Sequence, residues 1–198
     1  MDKRAVAKAR TRLALAERAL NELGQCQHAG EFADIWYRVL VAIKNTYNVL
    51  NKGAQASPQS RQWFGAKKEE RRKDPLLQYL YQARDADEHG IDAITAMTPG
   101  KIEFVSANAG ESHVVEMTHN LLGTGGSFVV KSADGKPVHV RAQLPMMKLS
   151  TVVGRGGVKF PPPVIHKGKI FEPNTPYHVA KLAIAHWWEV IDQAEALS

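Results

Sequence analysis

Gln82-Ala83-Arg84-Asp85-Ala86-Asp87-Glu88-His89-Gly90 sets an arginine, three carboxylates and an imidazole within six residues, at the end of a segment that otherwise reads as helix. Projected at 100° per residue, Leu76, Leu77, Leu80, Tyr81 and Ile91 gather on one side, and Arg84 points into the middle of it. A guanidinium placed there is costly unless it is paired or solvated, so the spacing predicts a helix that lines a groove. Arg84 and Glu88 stand one turn apart, as do Asp85 and His89. The same spacings also fit an ordinary surface ion pair and a solvated hydrogen bond, which contribute only tenths of a kcal/mol. Arginine and histidine beside one crevice suit phosphate chemistry.

Working outward, Asp74-Pro75 reads as an N-cap followed by proline at the first helical position, and Ser57-Pro58 repeats the signal for a preceding helix through about Lys73. Before that, Phe32, Trp36, Val39, Ile43, Tyr47 and Leu50 form an apolar stripe over 31–51, and Leu13, Ala16, Leu20 and Leu23 do so over 2–23, with Gly24 as the expected stop. Four helices on short loops describe a bundle.

After Thr98-Pro99-Gly100 the texture changes. Residues 101–107, 112–119, 126–131 and 137–144 have β-branched character and are separated by Asn-Ala-Gly, Gly-Thr-Gly-Gly and Ala-Asp-Gly turns, so antiparallel hairpins are expected. Gly154 to Pro163 reads as a loop with an extended proline end. Asn174-Thr175-Pro176 launches a last helix with Val179, Ala183, Trp187, Val190, Ala194 and Leu197 on one face, a stripe that needs the bundle as partner. The expected fold class is therefore α+β: a helical bundle over 1–100, a β-hairpin-rich insertion over 101–174 and a C-terminal helix over 175–198 that packs back.

With 198 residues, 44% apolar and 23% charged, the composition is that of a globular domain able to bury a core. No apolar run approaches a membrane span, and the charged start from Met1 to Arg10 lacks the apolar region of a secretory signal. The single Cys26 fits a reducing compartment, so a cytoplasmic location is expected. The net charge of +6 is uneven. Residues 61–73 carry Arg61, Lys67, Lys68, Arg71, Arg72 and Lys73 against two acids, whereas 74–92 carry five acids and only Arg84. Lys67, Lys68, Arg71 and Arg72, with Arg155 and Lys159 in the Gly154–Pro163 loop, are the candidate RNA-binding cations. As a plain solvated surface they would look the same. Phe160 offers a stacking ring beside that loop.

The Arg-x4-His spacing, with Asp85 directly after the arginine, a leucine-rich lead-in and helices before it, resembles the signature of the HEPN superfamily (higher eukaryotes and prokaryotes nucleotide-binding). The likeness covers roughly residues 1–95, with the last helix, and leaves the middle of the chain uncovered. It implies a HEPN-like up-and-down bundle, a homodimer that brings two motifs to one cleft, and a metal-independent endoribonuclease of toxin or defence type, with a possible antitoxin as partner and no cofactor. Arg84 would then hold the scissile phosphate, His89 would carry protons, and Asp85 would orient its ring. RNA supplies its own nucleophile, the 2′-OH, and the products would be a 2′,3′-cyclic phosphate and a 5′-hydroxyl. Some HEPN toxins have a tyrosine two residues after the histidine, and here that position is Ile91. The alternative is a non-catalytic HEPN-like dimer that binds RNA or a protein.

Other constellations are weaker. Gly123-Thr124-Gly125-Gly126-Ser127 lacks the Gly-Lys-Ser/Thr of a phosphate loop and reads as a turn. Glu116 and His119 lie in a strand-like run, where residues three apart point to opposite faces, and His113 adds no third ligand, so no metal site is expected. Trp187 and Trp188 read as bundle anchors, the second turned toward solvent or a dimer partner, and His186 reads as a satisfied core histidine.

Overall fold

A computed structural model describes residues 1–104, 113–119, 121–122, 126–132 and 140–198 of the chain. Its class is α+β. Helices α1 (Lys3–Gln25) and α2 (Ala29–Gly53) lie against each other along their length, and α3 (Pro58–Lys73) and α4 (Pro75–His89) follow across a short 3-10 turn. The cap signals act as their chemistry demands. Ser57 Oγ accepts from the Ser60 amide at 3.1 Å, and Asp74 Oδ1 accepts from the amides of Leu76 and Leu77 at 3.0 and 3.1 Å. α4 stops at His89, where the Gly90 amide closes on Ala86. Ile91 therefore leaves the apolar side expected for it and is fully exposed.

The C-terminal helix α5 (Pro176–Glu195), capped by Thr175, returns to the bundle and packs on α1, α2 and α4. Trp187 is buried, while Trp188 is partly covered and donates from Nε1 to Glu17 Oε1 at 2.7 Å. The second tryptophan is thus tied to α1 of its own chain. Arg10 of α1 holds Asp192 and Glu195 of α5 at 2.9 and 2.6 Å.

Between α4 and α5 the strands nest. β1 (Thr95–Thr98) pairs with β6 (Met146–Leu149), β2 (Lys101–Phe104) with β5 (Val140–Gln143), and β3 (His113–His119) with β4 (Gly126–Ser132), all antiparallel. Within the described residues the expected strands are present over 101–104, 113–119, 126–132 and 140–143, and 105–107, 112 and 137–139 lie outside them; 101–104 pairs with 140–143 rather than with its sequence neighbour. The first two pairs share one register, which sets Pro99 opposite Pro145. Neither proline can donate to a ladder, and the ribbon is interrupted there. The turns expected at 108–110 and 133–135, and residues 123–125 of the glycine-rich one, lie outside the described residues.

β1 begins inside the stretch expected to close the bundle, and the ribbon is not separate from it. Leu121 and Leu122 are buried in the same hydrophobic core as the helices, with Ile94, Met147, Leu149 and Val152. The Leu121 amide donates to the Cys26 carbonyl at 3.4 Å, and the Met147 amide donates to the Leu121 carbonyl at 2.8 Å. Cys26 itself is buried, and burial pushes its thiol up, as expected of an inert thiol. Among the described residues, no helix is long and apolar enough to cross a membrane.

Two short pairs complete the chain: β7 (Val152–Val153) with β8 (Lys159–Phe160), and β9 (Ile165–His166) with β10 (Lys169–Ile170). β7 and β9 pack against α4. The stretch 154–163, read from sequence as a loop, contains β8 and links the two strands that cover the motif helix.

Candidate active site

Gln82, Asp85, Ala86 and His89 recur at three- and four-residue intervals and form one stripe of α4. The segment Thr151–Arg155 stands across from it, and Asp92–Ile94 close one end, leaving a cleft of about 340 Å³. Gly154 sets the spacing of the two walls. A Cβ there would lie 2.8 Å from both Gln82 Oε1 and a Phe160 ring carbon, so any larger residue must displace the end of Gln82 and the Phe160 ring. Gly156 and Gly157, at φ 78° and 80°, then turn the chain so that Arg155 hangs over the helix. Its Nε stands 3.5 Å from Asp85 Oδ2, with the arginine side chain 85% exposed. A second hollow, of about 230 Å³, continues the groove along Tyr81, Gln82, Asp85, Arg155 and Phe160.

His89 opens onto the cleft with a side chain 60% exposed. Its nearest carboxylate is Glu88, with Nε2 to Oε2 at 3.7 Å, rather than a hydrogen-bonded Asp85. Arg84 takes a different direction. Its side chain is 21% exposed, it forms an ion pair with Glu88, it reaches Asp85 Oδ1 only at 3.7 Å, and it does not line the cleft. The Arg84 Nε is buried without a hydrogen-bond partner. The motif is therefore split: Asp85 and His89 share the cleft, while Arg84 is held on the adjoining side of the helix. Asp85, Glu88 and His89 bring one ligand atom each within 4.8 Å of one another. No metal set was expected from this spacing, although i, i+3 and i+4 on one helix is the signal that would have raised it. Arg84 and Arg155 already engage the two carboxylates.

The expected RNA-binding cations divide similarly. Arg155 reaches the cleft, and Lys159, exposed on β8, stays outside its lining. On α3, Lys67 is paired with Glu70 at 3.0 Å and Arg72 with Glu69 at 2.6 Å. Lys68 sits 5.7 Å from the Phe64 ring, and Arg71 stacks between Tyr81 and Tyr47 at 4.0 and 4.6 Å. Lys44 of α2, not singled out in the sequence, lies 3.5 Å over the Tyr81 ring.

A further cluster joins α4 to the β-rich segment. Asp74 Oδ2 lies 3.0 Å from His166 Nδ1 and accepts from the Lys167 amide at 2.7 Å. The His166 ring meets His186 edge-on at 5.5 Å. His186, expected to be a satisfied core histidine, is buried, but its Nδ1 has no hydrogen-bond partner, the nearest carboxylate oxygen on Glu70 being 3.8 Å away. Comparison of the chain with protein-family models, curated proteins and solved structures gives no match. The likeness to HEPN proteins rests on the sequence motif alone.

Proposed function

We propose that the protein is a metal-independent endoribonuclease of HEPN type, acting as a homodimer, with the α4 cleft as its substrate groove. The observation that carries this reading is His89, half-exposed on a 340 Å³ cleft that Asp85 and the largely exposed Arg155 also line. An imidazole is the side chain whose ordinary titration lies nearest neutrality, which suits proton transfer to and from RNA oxygens. His89 takes the 2′-OH proton, and the resulting oxygen attacks the adjacent phosphorus. The bond to the 5′ oxygen breaks, and that oxygen takes a proton from the His89 of the second copy, leaving a 2′,3′-cyclic phosphate and a 5′-hydroxyl. Arg155 across the cleft and Arg84, once released from Glu88, neutralise the charge that develops on the phosphoryl oxygens.

A specific observation favours the second reading, a non-catalytic binding module. With Arg84 neutralised by Glu88 and turned from the cleft, the motif lacks its intended phosphate anchor in this arrangement. RNA cleavage by the purified protein in excess EDTA, wild type against His89→Ala, separates the two. Metal-independent cleavage lost in the variant supports the nuclease. Equal cleavage by both proteins overturns the assignment of His89. Binding without cleavage leaves the module, and a need for one divalent ion transfers the chemistry to the Asp85–Glu88–His89 set.

A further inference from the structure

Lys44 from α2, Arg71 from α3 and Tyr81 from α4 meet where three helices converge, with Arg84 one turn beyond Tyr81. Among the described residues neither Lys44 nor Arg71 has a carboxylate within 4 Å, in contrast with Lys67, Arg72 and Arg84, which are all paired. Their neighbours are aromatic. The Arg71 guanidinium carbon lies 4.0 Å from the Tyr81 ring and 4.6 Å from that of Tyr47, and a guanidinium has five N–H donors, more than the Tyr81 phenol can take up, to offer an oxyanion. Both cations are only partly exposed. Holding these two cations together without a carboxylate is unfavourable in the free protein, and a bound anion relieves it.

Position supplies the second element. Tyr81 lines both this cation cluster and the hollow that continues the α4 groove past Gln82 and Asp85 to Arg155. The crevice beneath the cluster holds only about 20 Å³, too little for a nucleobase, so a ligand reaches the cations by its oxygens at the rim. We propose that Lys44 and Arg71, set around the Tyr81 ring, form a phosphate-binding subsite that seats one backbone phosphate of a nucleic-acid strand lying in the α4 groove. The proposal rests on the nucleic-acid reading of that groove, but not on cleavage.

The electrostatics fit this placement. Burial lowers the Lys44 ammonium from its ordinary range, with Arg71 and Arg84 adding to the effect, and the neighbouring Lys44 and Arg71 hold the Tyr81 phenol below its own. A phosphate seated between the cations offsets their pull on the phenolate. The phenol should then titrate at higher pH.

Binding of a short single-stranded DNA oligonucleotide, which presents the phosphates but no 2′-OH, tests the subsite without cleavage. The Lys44→Met/Arg71→Met protein should bind severalfold more weakly at low salt, with its log–log salt slope reduced by about 0.7, the share of one phosphate on a single strand. Arg61→Met, an exposed cation of the same helix, should bind as wild type. Because the double variant removes packing against two rings, a second measurement uses the wild-type fold: the oligonucleotide should raise the titration midpoint of one tyrosine by phenolate absorbance, and Tyr81→Phe should abolish that shift. An unchanged slope and affinity in the folded double variant, or a tyrosine titration indifferent to the strand, overturns the proposal. A shift produced by inorganic phosphate but not by the strand also overturns it, in favour of a free-phosphate site. If the strand binds here but RNA is never cut, the subsite stands and the nuclease reading fails.

Discussion

His166 Nδ1 stands 3.0 Å from Asp74 Oδ2, so the carboxylate that caps α4 is also gripped by the β-rich segment that covers it. Burial opposes the charge on Asp74, but hydrogen bonds with His166 and the amides of Lys167 and Leu77 outweigh it and hold the carboxyl at about 2. Because this value lies below the ordinary 3.8, the stabilisation is present above that pH and is lost as pH falls toward 2. Its size is about 2 kcal/mol. Asp74→Ala should cost about 2–4 kcal/mol at neutral pH, combining a lost cap with unpartnered buried donors. Denaturant unfolding of both proteins at neutral pH and near pH 3 checks the size and the sign.

His186 should make the protein sensitive to milder acid. Burial, aided by Lys167, His166 and Lys67 and opposed by Glu70, pushes this imidazole down to about 4 from its ordinary 6.5. The unfolded chain therefore binds a proton that the folded one refuses between those values, and stability falls as pH drops through that window, by about 3 kcal/mol. His186→Phe should flatten this part of the pH–stability curve. An equally steep loss in the variant would place the acid sensitivity elsewhere.

For the cleft, Arg84→Ala and His89→Ala should each abolish RNA cleavage while changing stability by only about 1 kcal/mol. Asp85→Asn should keep partial activity. Glu88→Gln is the informative partner change, since it releases Arg84 from its ion pair and should tighten RNA binding. RNA titrations and cleavage assays beside thermal melts separate these outcomes, and weaker binding by Glu88→Gln would show that the paired guanidinium is not a latent phosphate anchor.

Ile91, fully exposed one residue past the α4 cap, suits a two-fold contact beside His89. Sedimentation at micromolar concentration should show a dimer, and Ile91→Glu should shift it toward a monomer of 21.9 kDa. Monomer alone for the wild type would remove the second histidine from the proposed chemistry.

What the sequence makes legible here is local. Ser57-Pro58, Asp74-Pro75 and Thr175-Pro176 are caps because one side-chain oxygen and one fixed φ suffice to start a helix. The four central strands follow from their β-branched residues, yet their nested partners do not, since period-two patterning says nothing about which strand lies opposite. Met146–Leu149 holds no β-branched residue and becomes a strand through its pairing with Thr95–Thr98. In the cleft, Asp85 and His89 were within reach because they share a helix face. Arg155 comes from a distant segment, and Lys44, Arg71 and Tyr81 meet from three helices, which one-dimensional spacing cannot express. The helical projection put Arg84 in the middle of the apolar side, where it needs a partner, but its preference for Glu88 over the cleft is decided by the packing around α4.

Leu121 and Leu122 give the long excursion between the helices a meaning for how the protein can change. A piece that only decorates a bundle can be trimmed, swapped or lost with little consequence for the rest. Here the excursion returns two leucines to the helical core and fastens one of them to the turn at Cys26. Joining residue 98 directly to residue 146 would therefore hollow out the bundle, at about 2–5 kcal/mol for each leucine removed. Descendants of this chain that shorten the excursion must refill that space from the helices themselves, so the two parts are bound to vary together.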